Sequence, residues 1–324
     1  SSNLKVWFTA SGNAISTNNS KVIEWYDWSG NQNHAAQFTP SIQPEFNKDT
    51  GVIFNNNSYL EVDSNPITNK SYTIVAIEER TSNKSNNYFI GQNGSQSTNN
   101  NLHFGYRYNS QFTFAHYAND SEHAVPAFNN SVNMITGVFE NNQLNRELFY
   151  NAIKTQKLSG TETTSGLVNS GGLLIGKANT ALYEGKLKEV LIFDKNLTNT
   201  EIHSVHYYLS KKWGLTEEID SDQDGVLDAR DLYPADNTKW VTLPEVLRST
   251  QADLYTPTSN LKLWLNAASA NAVLKDGSNK VSKWFDWSGN ANIANQADSA
   301  ASPIFDANAL TFDGTNDFLE FNKN

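Results

Sequence analysis

An antiparallel β-sandwich of the all-β class is what this sequence predicts, and three observations predict it. Charged residues make up only 18% of the chain and aromatic residues 12%, with abundant Asn, Ser, Thr and Gly, a composition suited to half-buried strands joined by tight turns. Short runs with period-two alternation follow one another between Asn, Gly and Ser breaks. Finally, one segment alone reads convincingly as a helix.

The strand candidates are, in order, Leu4 to Phe8, Val22 to Tyr26, Leu60 to Val62, Tyr72 to Ile77, Tyr88 to Ile90, Leu102 to Tyr108, Phe112 to Tyr117, Asn133 to Glu140, Arg146 to Tyr150, Leu173 to Ile175 and Lys186 to Phe193. The helix is expected near 198–213. Thr198 reads as its cap, Glu201 three residues on completes a capping box, Ile202, Val205 and Leu209 share one face, and Gly214 ends it.

The opening pattern returns near the other end. Leu4-Lys-Val-Trp7-Phe8 and Val22-Ile-Glu-Trp25-Tyr-Asp27-Trp-Ser-Gly-Asn31 are answered by Leu261-Lys-Leu-Trp264-Leu265 and Val281-Ser-Lys-Trp284-Phe-Asp286-Trp-Ser-Gly-Asn290, and Leu60-Glu-Val62 by Leu319-Glu-Phe321. A period of about 258 residues is too long for a solenoid and means two tandem domains of one kind. Trp7, Trp25, Trp264 and Trp284 repeat with the strand pattern and read as core anchors. Asp27 and Asp286 precede Ser-Gly-Asn and read as acceptors for their own turns.

Between the copies lies Asp220-Ser-Asp222-Gln-Asp224-Gly225-Val226-Leu-Asp228-Ala-Arg-Asp231, five carboxylates in twelve residues. Calcium takes six to eight oxygen ligands, and D-x-D-x-D-G supplies them at alternate residues, with glycine permitting the bend after the third. Asp220, Asp222 and Asp224, the carbonyl of Val226, Asp228 and Asp231 are therefore the expected ligands, and calcium the expected cofactor. Pro234 stops a long helix from following, so a paired EF-hand is not expected.

The string DSDQDGVLDARDLYPADN resembles the thrombospondin type 3 calcium repeats of secreted bacterial surface proteins. Trp7, Trp25-Tyr-Asp-Trp-Ser-Gly-Asn-Gln-Asn-His34, Leu102-His-Phe-Gly-Tyr-Arg107, Phe112-Thr-Phe-Ala-His-Tyr-Ala-Asn-Asp120, Glu189 through Glu201 and Tyr208 through Gly214 resemble the laminin G-like, concanavalin A-like lectin family. That resemblance implies a jelly-roll sandwich of two antiparallel sheets, and a family containing carbohydrate binders, protein binders and spacers. It implies a first domain over 1–215, a calcium linker over 216–245 and the first part of a second sandwich over 246–324. Tyr150-Asn151-Ala152 departs from the family's usual Asn-Gly and puts that turn type in question.

Composition bounds the function. The 24 Lys and Arg against 34 Asp and Glu give a net charge of −10, and no basic patch interleaved with aromatics suggests nucleic acid. Without cysteine, disulfides and thiolate chemistry are excluded, leaving calcium as the expected staple of an exported chain. No apolar run approaches the roughly 20 residues that span a bilayer. The chain begins Ser-Ser-Asn, which suggests a piece of a longer protein with adjacent domains. No Gly-x-Ser-x-Gly elbow occurs, and Glu61-Val-Asp63 lacks the third carboxylate of a glycanase strand, so a non-catalytic module is expected. Its expected role is carbohydrate binding in a secreted or cell-surface adhesin, the alternative being a protein-interaction or spacer domain.

Two binding surfaces are candidates. If Asn109-Ser110 is a two-residue turn, Arg107 should pair with Phe112, Gly105 with Phe114 and His103 with His116, placing His103, Arg107 and His116 on one face. The loop His116 to His123, with Tyr117 and Asp120, and the Asn-rich 93–101 segment form the second.

Overall fold

The structure is a computed structural model that describes residues 3–11, 13–95, 97–169, 171–239, 262–267, 273–286, 292–306 and 309–321. In chain order the first region runs β1 (Leu4–Thr9), β2 (Ile15–Asn18), β3 (Lys21–Trp25), β4 (Ala35–Ala36), β5 (Glu45–Asn47), β6 (Gly51–Phe54) and β7 (Leu60–Val62). Next come β8 (Tyr72–Arg80), β9 (Asn87–Gln92), β10 (His103–Tyr108), β11 (Gln111–Ala115), β12 (Asp120–Ala124), β13 (Asn133–Glu140) and β14 (Asn145–Tyr150). It closes with β15 (Ile153–Lys154), β16 (Lys157–Gly160), β17 (Leu173–Ile175), β18 (Lys177–Ala178), β19 (Ala181–Leu182), β20 (Gly185–Phe193) and helix α1 (Asn199–Trp213).

The strands form the two antiparallel layers of a jelly-roll sandwich. One layer runs β14–β13–β8–β20–β1, with β6 against the start of β20. The other runs β4–β7–β17–β9–β10–β11–β12–β16. Strands β5 and β3 carry the chain's pairing from one layer to the other. Between the layers lies a core in which Phe8, Ile74, Ile135, Phe139 and Ile192 face Leu60, Phe89, Phe104, Phe112 and Phe114. Directly opposed residues share a face, so the pairs Leu60–Ile175, Ile175–Ile90, Ile90–Phe104 and Phe104–Phe114 mark the inner row of the second layer.

Helix α1 covers the back of the first layer. Val75, Ile77, Met134, Val138 and Leu191 pack there against Ile202, Leu209, Leu215 and Ile219. Its ends are those read from the sequence: Thr198 and Glu201 form a reciprocal capping box, and Gly214 closes the helix at φ 71°. Trp25 is fully buried and its indole donates to Thr9 O at 2.9 Å. Trp7 and Trp213 both donate, each at 2.7 Å, to the buried Glu189 carboxylate.

The Asn151-Ala152 turn keeps the two-residue form despite lacking glycine. Tyr150 pairs with Ile153, and Asn151 and Ala152 adopt φ of 49° and 66°. A left-handed alanine costs about 1 to 2 kcal/mol. It is held there by burial of its methyl group in the helix-side core and by Asn151, whose side-chain oxygen accepts from Met134 N at 2.8 Å.

Beyond residue 261 the opening hydrogen bonds recur. Asp27 accepts from Trp7 N at 2.8 Å and from Asn33 N at 3.0 Å, and Asp286 accepts from Trp264 N at 2.9 Å and from Asn292 N at 3.0 Å. Asn33 donates to Lys5 O and Asn292 to Lys262 O, both at 2.7 Å. Trp25–Ala35 and Ala35–Val62 are matched by Trp284–Ala294 and Ala294–Phe321. Leu274, Ile304, Phe312, Phe318 and Phe321 stand exposed. Leu261, the Trp287-to-Asn290 string and the boundary at 245/246 lie outside the described residues.

Candidate ligand cleft and calcium loop

The outer face of the second layer can be read from register alone. Glu24, Ala36, Glu61, Leu174, Gly91, His103, Ala115 and Asp120 are each directly opposite the next, making one row across the sheet. The β18–β19 hairpin crosses this row at Gly91. A Cβ on Gly91 would stand 2.3 Å from that of Ala178, so only glycine lets the hairpin dock. One side of the hairpin holds a cleft of about 440 Å³ lined by Tyr88, His103, Arg107, Tyr117, Asp120 and Asn179 among others. The other side holds a cleft of about 600 Å³ with Glu24, His34, Phe38, Tyr59, Glu61 and Asp63 in its walls.

Four of the five sequence candidates, His103, Arg107, Tyr117 and Asp120, therefore meet in one cleft. His116 does not. The expected pairing slips by one residue because Arg107 is a bulge between the pairs Tyr106–Phe112 and Tyr108–Gln111, so Gly105 faces Thr113 and His103 faces Ala115. Phe112 and Phe114 belong to the core. His116 is fully buried against the Phe139 ring, 2.6 Å from Tyr72 OH and 3.1 Å from Arg146 Nη2. Burial, and then the Arg146 charge, hold its imidazole well below the ordinary histidine range.

The expected 116–123 loop is a tight turn followed by β12. Tyr117 and Ala118 both take φ 51°, and His116 N donates to Asn119 O at 3.0 Å. Such strain persists only where the surroundings over-determine it. Here the buried Asn119 accepts from Thr163 N at 2.8 Å and its carbonyl accepts from Arg146 at 2.6 Å. The turn aims Tyr117 at the cleft beside His103, with ring centroids 6.2 Å apart.

Electrostatics in the cleft centre on Arg107. Its Nη1 lies 3.1 Å from Glu122 Oε1 and its Nη2 3.4 Å from Asp120 Oδ2. Glu122, almost wholly buried, also accepts from Thr113 at 2.7 Å and Gln111 at 2.9 Å. Burial raises the Glu122 carboxyl, opposed by Thr113 and Arg107. Burial lowers the His103 imidazole, whose ring stands edge-on to Tyr88 at 5.2 Å. Sequence reasoning missed Tyr88, Asn179 and Arg146. Strand parity could have found Tyr88, which faces Gly105. Nothing local marked Asn179, because a distant hairpin brings it in.

The acidic loop follows α1. One oxygen each from Asp220, Asp222 and Asp224 lies within 4.8 Å of the others. Backbone amides occupy their remaining positions: Asp220 accepts from Gln223 N at 2.7 Å and Gly225 N at 2.8 Å, and Asp224 accepts from Val226 N at 2.8 Å. Gly225 takes φ 99° where a Cβ would meet nothing within 4 Å, so conformation rather than space calls for glycine. The Oδ2 atoms of Asp222, Asp224 and Asp231 are buried without a hydrogen-bond partner. Burial and then repulsion from Asp224 push Asp222 up to about 6, and burial, with repulsion from the three neighbouring aspartates, pushes Asp231 up to about 7. Three carboxylates that bring an oxygen each to one place, beside buried carboxylate oxygens without partners, fit a hard cation.

Asp228, a further member of the expected ligand set, is bonded on both oxygens, as Asp220 is. Its Oδ1 accepts from Ser221 N at 2.7 Å, and its Oδ2 accepts from the hydroxyls of Ser221 and Ser210. Fully buried, it ties the loop to α1.

Residues 54–203 match the family model described as the concanavalin A-like lectin/glucanases superfamily, Laminin_G_3. None of the curated proteins compared with the chain matches it. Among solved structures, the chain is similar to Trypanosoma rangeli sialidase in complex with 2,3-difluorosialic acid, at 14% identity and TM-score 0.47, over 65% of this chain and 33% of that one. It is also similar to domain 4 of AbnA, an extracellular arabinanase of Geobacillus stearothermophilus, in complex with arabinotriose, at 11% identity and TM-score 0.40, over 60% and 94%. A third is the Ruminococcus gnavus IT-sialidase CBM40 bound to α2,3-sialyllactose, at 15% identity and TM-score 0.34, over 43% and 83%. The chain thus spans about a third of the sialidase.

Proposed function

We propose that the sandwich, whose residues 54–203 match the lectin/glucanase superfamily, is a non-catalytic carbohydrate-binding module of a secreted or cell-surface adhesin-type protein. The observation that carries this reading is the outer-face cleft, where Tyr88, His103 and Tyr117 supply ring edges and faces beside the polar groups of Arg107 and Asp120. Sugars stack their apolar faces on aromatic rings and exchange directional hydrogen bonds around their edges. No helix of the described residues is long and apolar enough to cross a membrane.

A glycan array with the full chain tests the reading, with His103→Ala and Tyr117→Ala as the paired variants. Specific binding that both variants weaken at least tenfold, with melting temperatures within about 3 °C of wild type, is the expected result. A wild-type chain silent across the array moves the assignment to a protein-interaction or spacer domain. Arg107→Ala is a poorer probe, because it leaves the buried Glu122 without its ion pair.

We further infer that Asp220, Asp222, Asp224 and Asp231 hold calcium, with the Val226 carbonyl available to add a ligand. For a site with a dissociation constant of about 10⁻⁴ M, 10 mM calcium stabilises the folded chain by about 2.7 kcal/mol. The expected result is a melting temperature that rises with calcium and falls on chelation, and a calorimetric binding signal that Asp224→Ala abolishes. Equal heats from wild type and variant would remove the assignment.

A further inference from the structure

We infer that the ligand of the cleft is an uncharged glycan and that this face rejects sugars bearing a carboxylate or sulfate, an inference that rests on the carbohydrate reading above. An arginine that recognises an anion presents an open, two-pronged edge. Here each nitrogen of the Arg107 guanidinium already has an oxygen of the protein beside it: Nη1 the Glu122 Oε1 at 3.1 Å, Nη2 the Asp120 Oδ2 at 3.4 Å, and Nε the Tyr88 OH at 3.4 Å. One cation is thereby balanced by two carboxylates, and the cleft carries no net positive charge.

The remaining groups point the same way. Burial keeps His103 below its ordinary range, so the imidazole is neutral at pH 7, and Tyr88, Tyr117, Asn86 and Asn179 are uncharged. Asp120 Oδ1 is a buried atom with no hydrogen-bond partner. The Asp120 carboxylate is an acceptor only, and its charge opposes an oxyanion brought into the cleft. The same face continues past the hairpin to Glu24, Glu61 and Asp63, which form no ion pair among the described residues. Lys177 is the cation on the dividing hairpin, and its ammonium sits 4.1 Å from the centre of the Tyr59 ring. An acidic chain laid along the row would meet like charge on both sides of that lysine.

The test uses the full chain on an array that carries each neutral glycan beside an acid-bearing counterpart, lactose and 3′-sialyllactose among them, followed by titration calorimetry on the best pair. The expected result is at least tenfold tighter binding of the neutral member. Raising NaCl from 50 to 500 mM should narrow that gap in the wild type by screening, and Asp120→Asn, which frees one prong of Arg107, should narrow it further. Equal or tighter binding of the acidic member by the wild type overturns the inference while leaving the carbohydrate reading in place. Silence towards both members of every pair overturns the two together.

Discussion

Replacing Arg146 by methionine is expected to destabilise the sandwich by about 3 kcal/mol, the cost of leaving several buried acceptors unpaired. The guanidinium is buried and donates to Phe114 O at 3.2 Å, Asn119 O at 2.6 Å and His116 Nδ1 at 3.1 Å. It also packs over the rings of Phe139 at 5.0 Å and Phe114 at 5.4 Å. A single side chain from β14 thus ties β11 and the strained Tyr117-Ala118 turn into the core. Burial pushes its pKa down to about 10, leaving it charged at neutral pH. Lysine cannot reproduce the fork, so Arg146→Lys should also lose about 2 kcal/mol, within the range for buried unsatisfied groups. In urea denaturation the methionine variant should unfold at a clearly lower midpoint with an unchanged slope. Both variants should also weaken glycan binding through the turn. A wild-type midpoint for either would mean that the turn is held by Asn119 and its neighbours alone.

Acid should destabilise the chain through its buried histidines. Three buried histidines are held neutral: His116 well below the ordinary range, His123 down to about 4 and His206 down to about 3. Burial is the leading cause in each, followed by Arg146 for His116, by Lys157 and Arg146 for His123, and by His203 for His206. In the unfolded chain each takes up a proton near pH 6.5. Their stabilisation is therefore complete above that pH and is lost as pH falls towards the folded values, at up to about 1.4 kcal/mol per unit for each histidine. The raised carboxyls offset part of the loss: Asp222 and Asp228, each up to about 6, and Asp231, up to about 7, from near neutral pH, with buried Glu78 and Glu122 adding to them.

His123→Gln isolates one contribution. His123 is nearly inaccessible, with Ser121 Oγ at 2.8 Å and Thr155 Oγ1 at 3.0 Å from its two ring nitrogens. Stability measured from pH 7 to 4.5 should fall less steeply in the variant, the two curves converging by about 2 kcal/mol over that interval. Parallel curves would show that the imidazole is not held neutral in the folded chain.

The sequence by itself determined the elements and their punctuation. Alternation placed β13 and β17 to the residue and β8, β9 and β20 nearly so, because one face of each strand must be apolar to join a core. Thr198, Glu201 and Gly214 fixed both ends of α1, since capping is a local exchange of hydrogen bonds between residues a few positions apart. Asp27 was legible as a turn acceptor for the same reason.

Tertiary structure decided what depended on pairing across the sheet. A single bulge at Arg107 moved the partners of His103 through Tyr106 by one position, and that sent His116 to the core while His103 stayed outside. Bulges depend on how a strand must twist between its neighbours, which local pattern does not encode. Asp228 carries the spacing of a metal ligand, and only the fold brings Ser210 from the helix against it. The cleft itself joins β9, β10, the β11–β12 turn and the β18–β19 hairpin. No local pattern records that meeting, because what brings these segments together is the burial of their opposite faces in a shared core.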